Sequence, residues 1–198
     1  MTYTELTPQM TKDFWDYMSD LYGTKIVSKK DSNFMKVVGS FLSLMRIQDK
    51  EKFMSKYTTT IGKTIYVSFD IGETTDKNVL ASQISTCVHE HQHVVQYNRG
   101  GFDFTLEYVF QHDQRAKLEA EAYSTNIEIY HWYTGKLLDT KVLATKLLDY
   151  GCDANDVLVA EKIMNANVKV IKYGGIIHEA SKKAIAWLDK NAGTLKKG

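Results

Sequence analysis

Leu80-Ala-Ser-Gln-Ile-Ser-Thr-Cys-Val-His89-Glu90-His91-Gln92-His93-Val-Val-Gln-Tyr-Asn-Arg99 is the stretch that decides how this chain folds and what it can do. At roughly 100° per residue, Leu80, Ile84, Val88, His91 and Val95 make one apolar stripe, the mark of an amphipathic helix. His89 and His93 fall on the other side, with Ser82, Thr86, Gln96 and Tyr97 as neighbours, so this helix should turn one face to a core and one to a cleft. Four positions are just over one turn, which sets the two imidazoles about one pitch, ~5.4 Å, apart. Two imidazoles so placed can grip one metal ion at Zn–N distances of roughly 2.0–2.1 Å. Glu90 lies ~100° further round, where it can reach water held by that ion without binding the ion itself. His91 shares the apolar stripe and reads as a hydrogen-bonded core histidine, or one supporting the ligands from behind, rather than as a ligand. Gly100-Gly101 should end the helix.

A catalytic zinc takes three protein ligands and leaves one position open. A second helix is expected over residues 114–133, closed by Gly135, and it carries two candidates. Glu119 shares its face with Ala116, Ala122, Tyr123, Asn126, Ile127 and Tyr130, a surface suited to burial. Glu121 shares its own with Lys117, Ser124, Thr125, Glu128 and Trp132, a surface suited mainly to water. A buried carboxylate needs a charge partner or a metal, so the phase favours Glu119 as third ligand over Glu121. His112 is the fallback if the preceding loop folds back.

Val-His-Glu-His-Gln-His-Val-Val-Gln at 88–96, followed by Leu-Glu-Ala-Glu-Ala-Tyr at 118–123, resembles the gluzincin metallopeptidases. More closely it is similar to small bacterial and phage zincin-like domains with His-Glu-x-x-His-x-x-Gln and a downstream Glu-x-Glu-Ala. The metzincin pattern is absent, because Gln96 and Arg99 stand where its glycine and third histidine would be. The resemblance spans about residues 64–133, and Tyr123 departs from the Asp that some membrane-associated relatives carry there. In several such families the first Glu of Glu-x-x-Ala is a ligand, which implies Glu119. The resemblance further implies Zn2+ held by His89, His93 and Glu119, Glu90 as general base, and a polypeptide substrate cleaved at its peptide bonds. Tyr97, Tyr123, Tyr130 and His131 are the candidate oxyanion donors. Two other classes fit the same motif. One is a non-catalytic binding or structural module, for instance of a virion, against which the presence of Glu90 speaks. The other is a metal hydrolase of non-peptide amides or esters, whose chemistry at zinc is shared.

The rest of the chain bounds these readings. Its 198 residues, 43% hydrophobic and 25% charged, suit a single globular domain. A core at about 58–135 is expected to lie between N-terminal helices (1–57) and a C-terminal helical part (136–198). A net charge of +1 with scattered lysines gives no basic surface for nucleic acid. No apolar run approaches the ~20 residues of a membrane span, and the N-terminus has no signal-peptide pattern. Cys87 and Cys152 make no disulfide framework, so a reducing cytoplasm is the expected compartment, with a virion or an injected effector equally compatible. Helices are expected at 8–22, 34–45, 137–149, 153–172 and 177–191, with Asp153 an N-cap. Residues 63–71 alternate as a half-buried strand. That strand could edge the cleft and pair with an extended peptide, or lie inside a sheet with no ligand role. The expected fold class is therefore mostly helical α+β: a zincin-like core with a small sheet beside the His89 helix and C-terminal helices around it.

Overall fold

A computed structural model describes residues 2–33, 35, 50–55 and 57–197, with the side chains of all but 50, 52, 53 and 102–107. Of the helix expected at 34–45, all but residue 35 lies outside the described residues. The remainder is mostly helical with one small sheet. Helix α1 (Pro8–Tyr22) starts where Thr7 caps the Met10 N–H and Pro8 fits the first turn, and it stops at Gly23, φ 62°. Its Met10, Phe14, Trp15, Met18 and Tyr22 side chains are buried. Strand β1 (Lys25–Ser28), helix α2 (Lys50–Ser55), and strands β2 (Thr59–Ile61) and β3 (Thr64–Val67) follow.

The sheet order is β1-β3-β2, with β1 parallel and β2 antiparallel to β3. This shortens the strand expected at 63–71 and favours its internal alternative over the cleft edge. Only Thr64–Val67 is strand, and it is the centre of the sheet, so the edge beside the His89 helix belongs to β2. Ile65 and Val67 do alternate into the core, and Phe69 and Ile71 pack against it from a bend.

Helix α3 (Lys77–Phe110) is interrupted at Gly101, whose φ of 61° and ψ of −139° no helix tolerates. Helix α4 (His112–Thr134) runs back along it, ending at Gly135 with φ 70°. Next come a short helix α5 (Thr140–Thr145) and a tight 3-10 turn (Lys146–Tyr150), where one continuous helix over 137–149 is the sequence expectation. Helix α6 (Ala154–Ile171) opens on a full capping box between Asp153 and Asp156, and helix α7 (Glu179–Ala192) closes the fold.

Two apolar clusters share α4 as their wall. One lies between α1, the sheet, α3 and α7; the other lies between α4, α5 and α6. The start of α7 is fixed by two side chains. Glu128 on α4 accepts from the backbone N–H groups of Ile177 and His178 and pairs with the His178 ring at 3.1 Å, and Gln92 on α3 accepts from the Ala180 N–H at 3.2 Å. Among the described residues no helix is long and apolar enough to cross a membrane.

Candidate metal centre

The stripe on α3 is buried as its periodicity requires. Leu80, Ile84, Val88, His91 and Val95 are each at most 4% exposed. His91 is a core residue: its Nδ1 bonds the Cys87 carbonyl at 2.7 Å and its Nε2 meets Thr24 Oγ1 at 3.1 Å. Burial lowers its pKa to about 4, so it stays neutral.

On the opposite face the helix pair brings His89, His93 and Glu119 together. Their ligand atoms lie within 4.8 Å of one another, and all three residues are buried. His89 Nε2 is 3.5 Å from Glu119 Oε2, and His93 Nε2 is 3.4 Å from Glu119 Oε1. Glu119 Oε2 is buried with no hydrogen-bond donor, while Oε1 takes the Tyr108 hydroxyl. Burial pushes the Glu119 pKa up, but the two histidines outweigh it and hold it well below the usual carboxylate range. Burial likewise opposes charge on His93, and Glu119 overcomes it to raise the pKa to about 9.

Hydrogen bonding fixes which nitrogen of each ring carries the proton. Asn126 Nδ2 faces the Ser85 carbonyl at 3.1 Å and Ser85 Oγ at 2.7 Å. A carbonyl only accepts, so the amide nitrogen must point there and Oδ1 must point at His89 Nδ1, 2.9 Å away. Gln96 is oriented the same way. Its Nε2 donates to the Leu118 carbonyl at 2.9 Å and to Glu121 Oε2 at 3.2 Å, leaving Oε1 to accept from His93 Nδ1 at 2.8 Å. Both rings therefore carry a proton on Nδ1 and turn Nε2 to the Glu119 carboxylate. Three acceptors this close are stable only with a proton or a cation among them. The donor set of two imidazole nitrogens and one carboxylate oxygen fits a divalent cation.

Glu90, buried at 5% exposure, stands beside the set. Its Oε2 accepts the Thr60 hydroxyl from β2 at 2.7 Å. His89 and Glu90 line a cleft of about 1050 Å3, which Tyr57, Tyr123, Tyr130, Trp132 and Tyr150 also line. Of the candidate oxyanion donors, Tyr123 and Tyr130 reach this cleft, and the Tyr123 ring packs edge-on to His89 at 4.9 Å. Tyr97 sits against Gly62 in the β2–β3 turn, and neither it nor His131 lines the cleft.

Two sequence expectations are corrected. His112 is not at the site; it is mostly exposed and pairs with Asp156 at 2.7 Å, at the start of α6. Nor does Glu121 lie on a water-facing surface, because Ser124, Thr125, Glu128 and Trp132 beside it are all buried. The cause is that α4 has neighbours all round, with α6 and α7 covering the face that periodicity assigns to solvent. The supporting partners Thr60, on β2, and Tyr108, beyond the Gly101 break in α3, follow from no local pattern around the histidines. Gln96, three residues after His93, and Asn126, two turns after Glu119, follow from helix geometry once the ligands are suspected. In comparisons with protein-family models, curated proteins and solved structures, nothing matches the chain.

Proposed function

We propose that the chain is a zinc-dependent metallopeptidase of the gluzincin type, with His89, His93 and Glu119 as the zinc ligands and Glu90 as general base. The observation that carries this reading is the pair of acceptor-locked amides, Asn126 and Gln96, which turn both Nε2 atoms onto one buried carboxylate. Three protein ligands, two of them imidazole, match a catalytic zinc that keeps a position open, rather than a closed structural site. Bound there, zinc would supply Lewis acidity, lowering the pKa of its water towards ~7 and polarising a carbonyl. Glu90 then receives the proton of the attacking water and delivers it to the leaving nitrogen. Thr60 holds the Glu90 carboxylate on the cleft wall. A module that merely kept a fold would have no use for a buried carboxylate there. The cleft volume, about 1050 Å3, lies at the upper limit of the roughly 300–1000 Å3 of small-molecule pockets, which favours a polypeptide segment over a small amide or ester.

Glu90→Gln tests the reading. The amide is nearly isosteric but cannot take the proton, so the variant should keep its fold and one zinc per chain while losing hydrolysis of an unstructured protein substrate. Undiminished turnover would remove Glu90 from the mechanism. Failure of the wild type to cleave anything in a broad peptide library would favour the non-catalytic module.

A further inference from the structure

We infer that Glu121 is a positioning residue of the metal centre, acting on His93 through Gln96. This rests on the metal site proposed above. Glu121 touches none of the three ligands, yet its side chain is only 27% exposed and accepts from three donors. Oε2 takes Gln96 Nε2 at 3.2 Å; Oε1 takes Gln92 Nε2 at 2.6 Å and Arg99 Nη1 at 3.0 Å. Two of these three donors are neutral amides, each from the helix that carries the histidines.

The link to Gln96 gives the carboxylate its role. A Gln96 amide turned end for end would set its oxygen against the Leu118 carbonyl and the Glu121 carboxylate, and its nitrogen against His93 Nδ1. With that nitrogen facing it, His93 Nδ1 would have to act as acceptor, moving the ring proton to Nε2 and taking away the lone pair a metal needs. Glu121 and the Leu118 carbonyl oppose that flip together, and only Glu121 can be removed by mutation. Gln92 extends the chain of bonds, since its Oε1 holds the Ala180 N–H at the start of α7. His93 is thereby tied to the C-terminal helix through Gln96, Glu121 and Gln92. The Arg99 contact is different in kind: Arg99 is 57% exposed, and an exposed ion pair contributes little.

The test is a double-mutant cycle read as zinc affinity of the full chain, by competition with a chromophoric chelator. Gln96→Leu should weaken zinc about 10- to 100-fold and Glu121→Ala about 10-fold, the range for residues that orient metal ligands. The double variant should be no weaker than Gln96→Leu alone, because Glu121 acts through Gln96. Arg99→Ala should bind zinc like the wild type. The visible absorption of the cobalt(II)-loaded chain should shift in Gln96→Leu and Glu121→Ala but not in Arg99→Ala. If Glu121→Ala does not fold, Glu121→Gln carries the cycle, with the same non-additivity and a smaller loss. Additive losses, or full affinity in both Glu121 variants, would overturn the inference while leaving the metal site standing. A wild type that binds no zinc would overturn both, and one that binds zinc without hydrolysing peptides would overturn only the peptidase reading.

Discussion

Zinc should raise the unfolding temperature of this chain, and the rise should vanish with the ligands. A ligand that binds only the folded state stabilises it by RT ln(1 + [L]/Kd), about 2.7 kcal/mol at a free concentration of one hundred times Kd. In a chain of 198 residues each kcal/mol moves the midpoint by roughly 2–4 °C, so the shift should be about 5–11 °C. Little should be lost to rearrangement. The three ligand atoms already lie within 4.8 Å of one another, and both ring tautomers are set by amides that backbone carbonyls hold in place. The assay is scanning calorimetry on chelator-stripped protein in buffers of fixed free zinc. His89→Ala, His93→Ala and Glu119→Ala should each abolish most of the shift. His112→Ala should keep all of it, because the His112, Asp153 and Asp156 group is committed to the α6 cap and is largely exposed. An unchanged shift in the double variant His89→Ala/His93→Ala would place the zinc elsewhere. No shift in the wild type at any free zinc concentration would refute the metal centre itself.

Thr60→Val removes a 2.7 Å hydrogen bond to the Glu90 carboxylate. Such a bond to a charged group contributes about 1.5–3 kcal/mol, so kcat should fall at least ~10-fold with KM and zinc content unchanged, and Thr60→Ser should restore it; equal turnover in all three would show that Thr60 does not hold the base. Lys29, fully buried after β1, has its pKa lowered to about 7 by burial, with Glu90 opposing part of the shift. Its folded pKa lies below the unfolded value of 10.5, so the penalty for charging it is full below about pH 7 and fades as pH rises towards 10.5. Denaturant unfolding of the metal-free chain should therefore find the wild type gaining stability relative to Lys29→Met as pH rises from about 7 towards 10.5; a constant difference would mean that Lys29 does not titrate in this window.

The histidine helix was legible because it has two unlike sides. Its apolar stripe meets α1 and the sheet, and its other side meets the cleft and α4, so a 3.6-residue period separates them without knowledge of the partners. Helix ends were legible for local reasons as well: Pro8, Gly135 and Asp153 act within a few residues of where they stand. The sheet was not. A run of alternating residues shows that a strand is half-buried but not which strands flank it, and both partners of β3 are too short to read alone.

Helix α4 marks where periodicity fails. On one face Ala116, Ala122, Tyr123 and Ile127 are buried around Glu119, as expected for apolar side chains. On the other, Ser124, Thr125, Glu128 and Trp132 look like a solvated surface and are buried too, three of them with partners from later in the chain. Ser124 takes Asn167, Glu128 takes the start of α7, and Trp132 takes Asp189. A polar residue at helical spacing therefore reports either water or a partner, and the two give the same pattern. Those partners lie on α6 and α7, far along the chain, so nothing near Glu121 could reveal that its neighbours were covered. Glu119 and Glu121 differ in what they face, the Nε2 atoms of two histidines or the amide that orients one of them. That distinction depends on α3 and α4 being packed together, and no helix carries it alone.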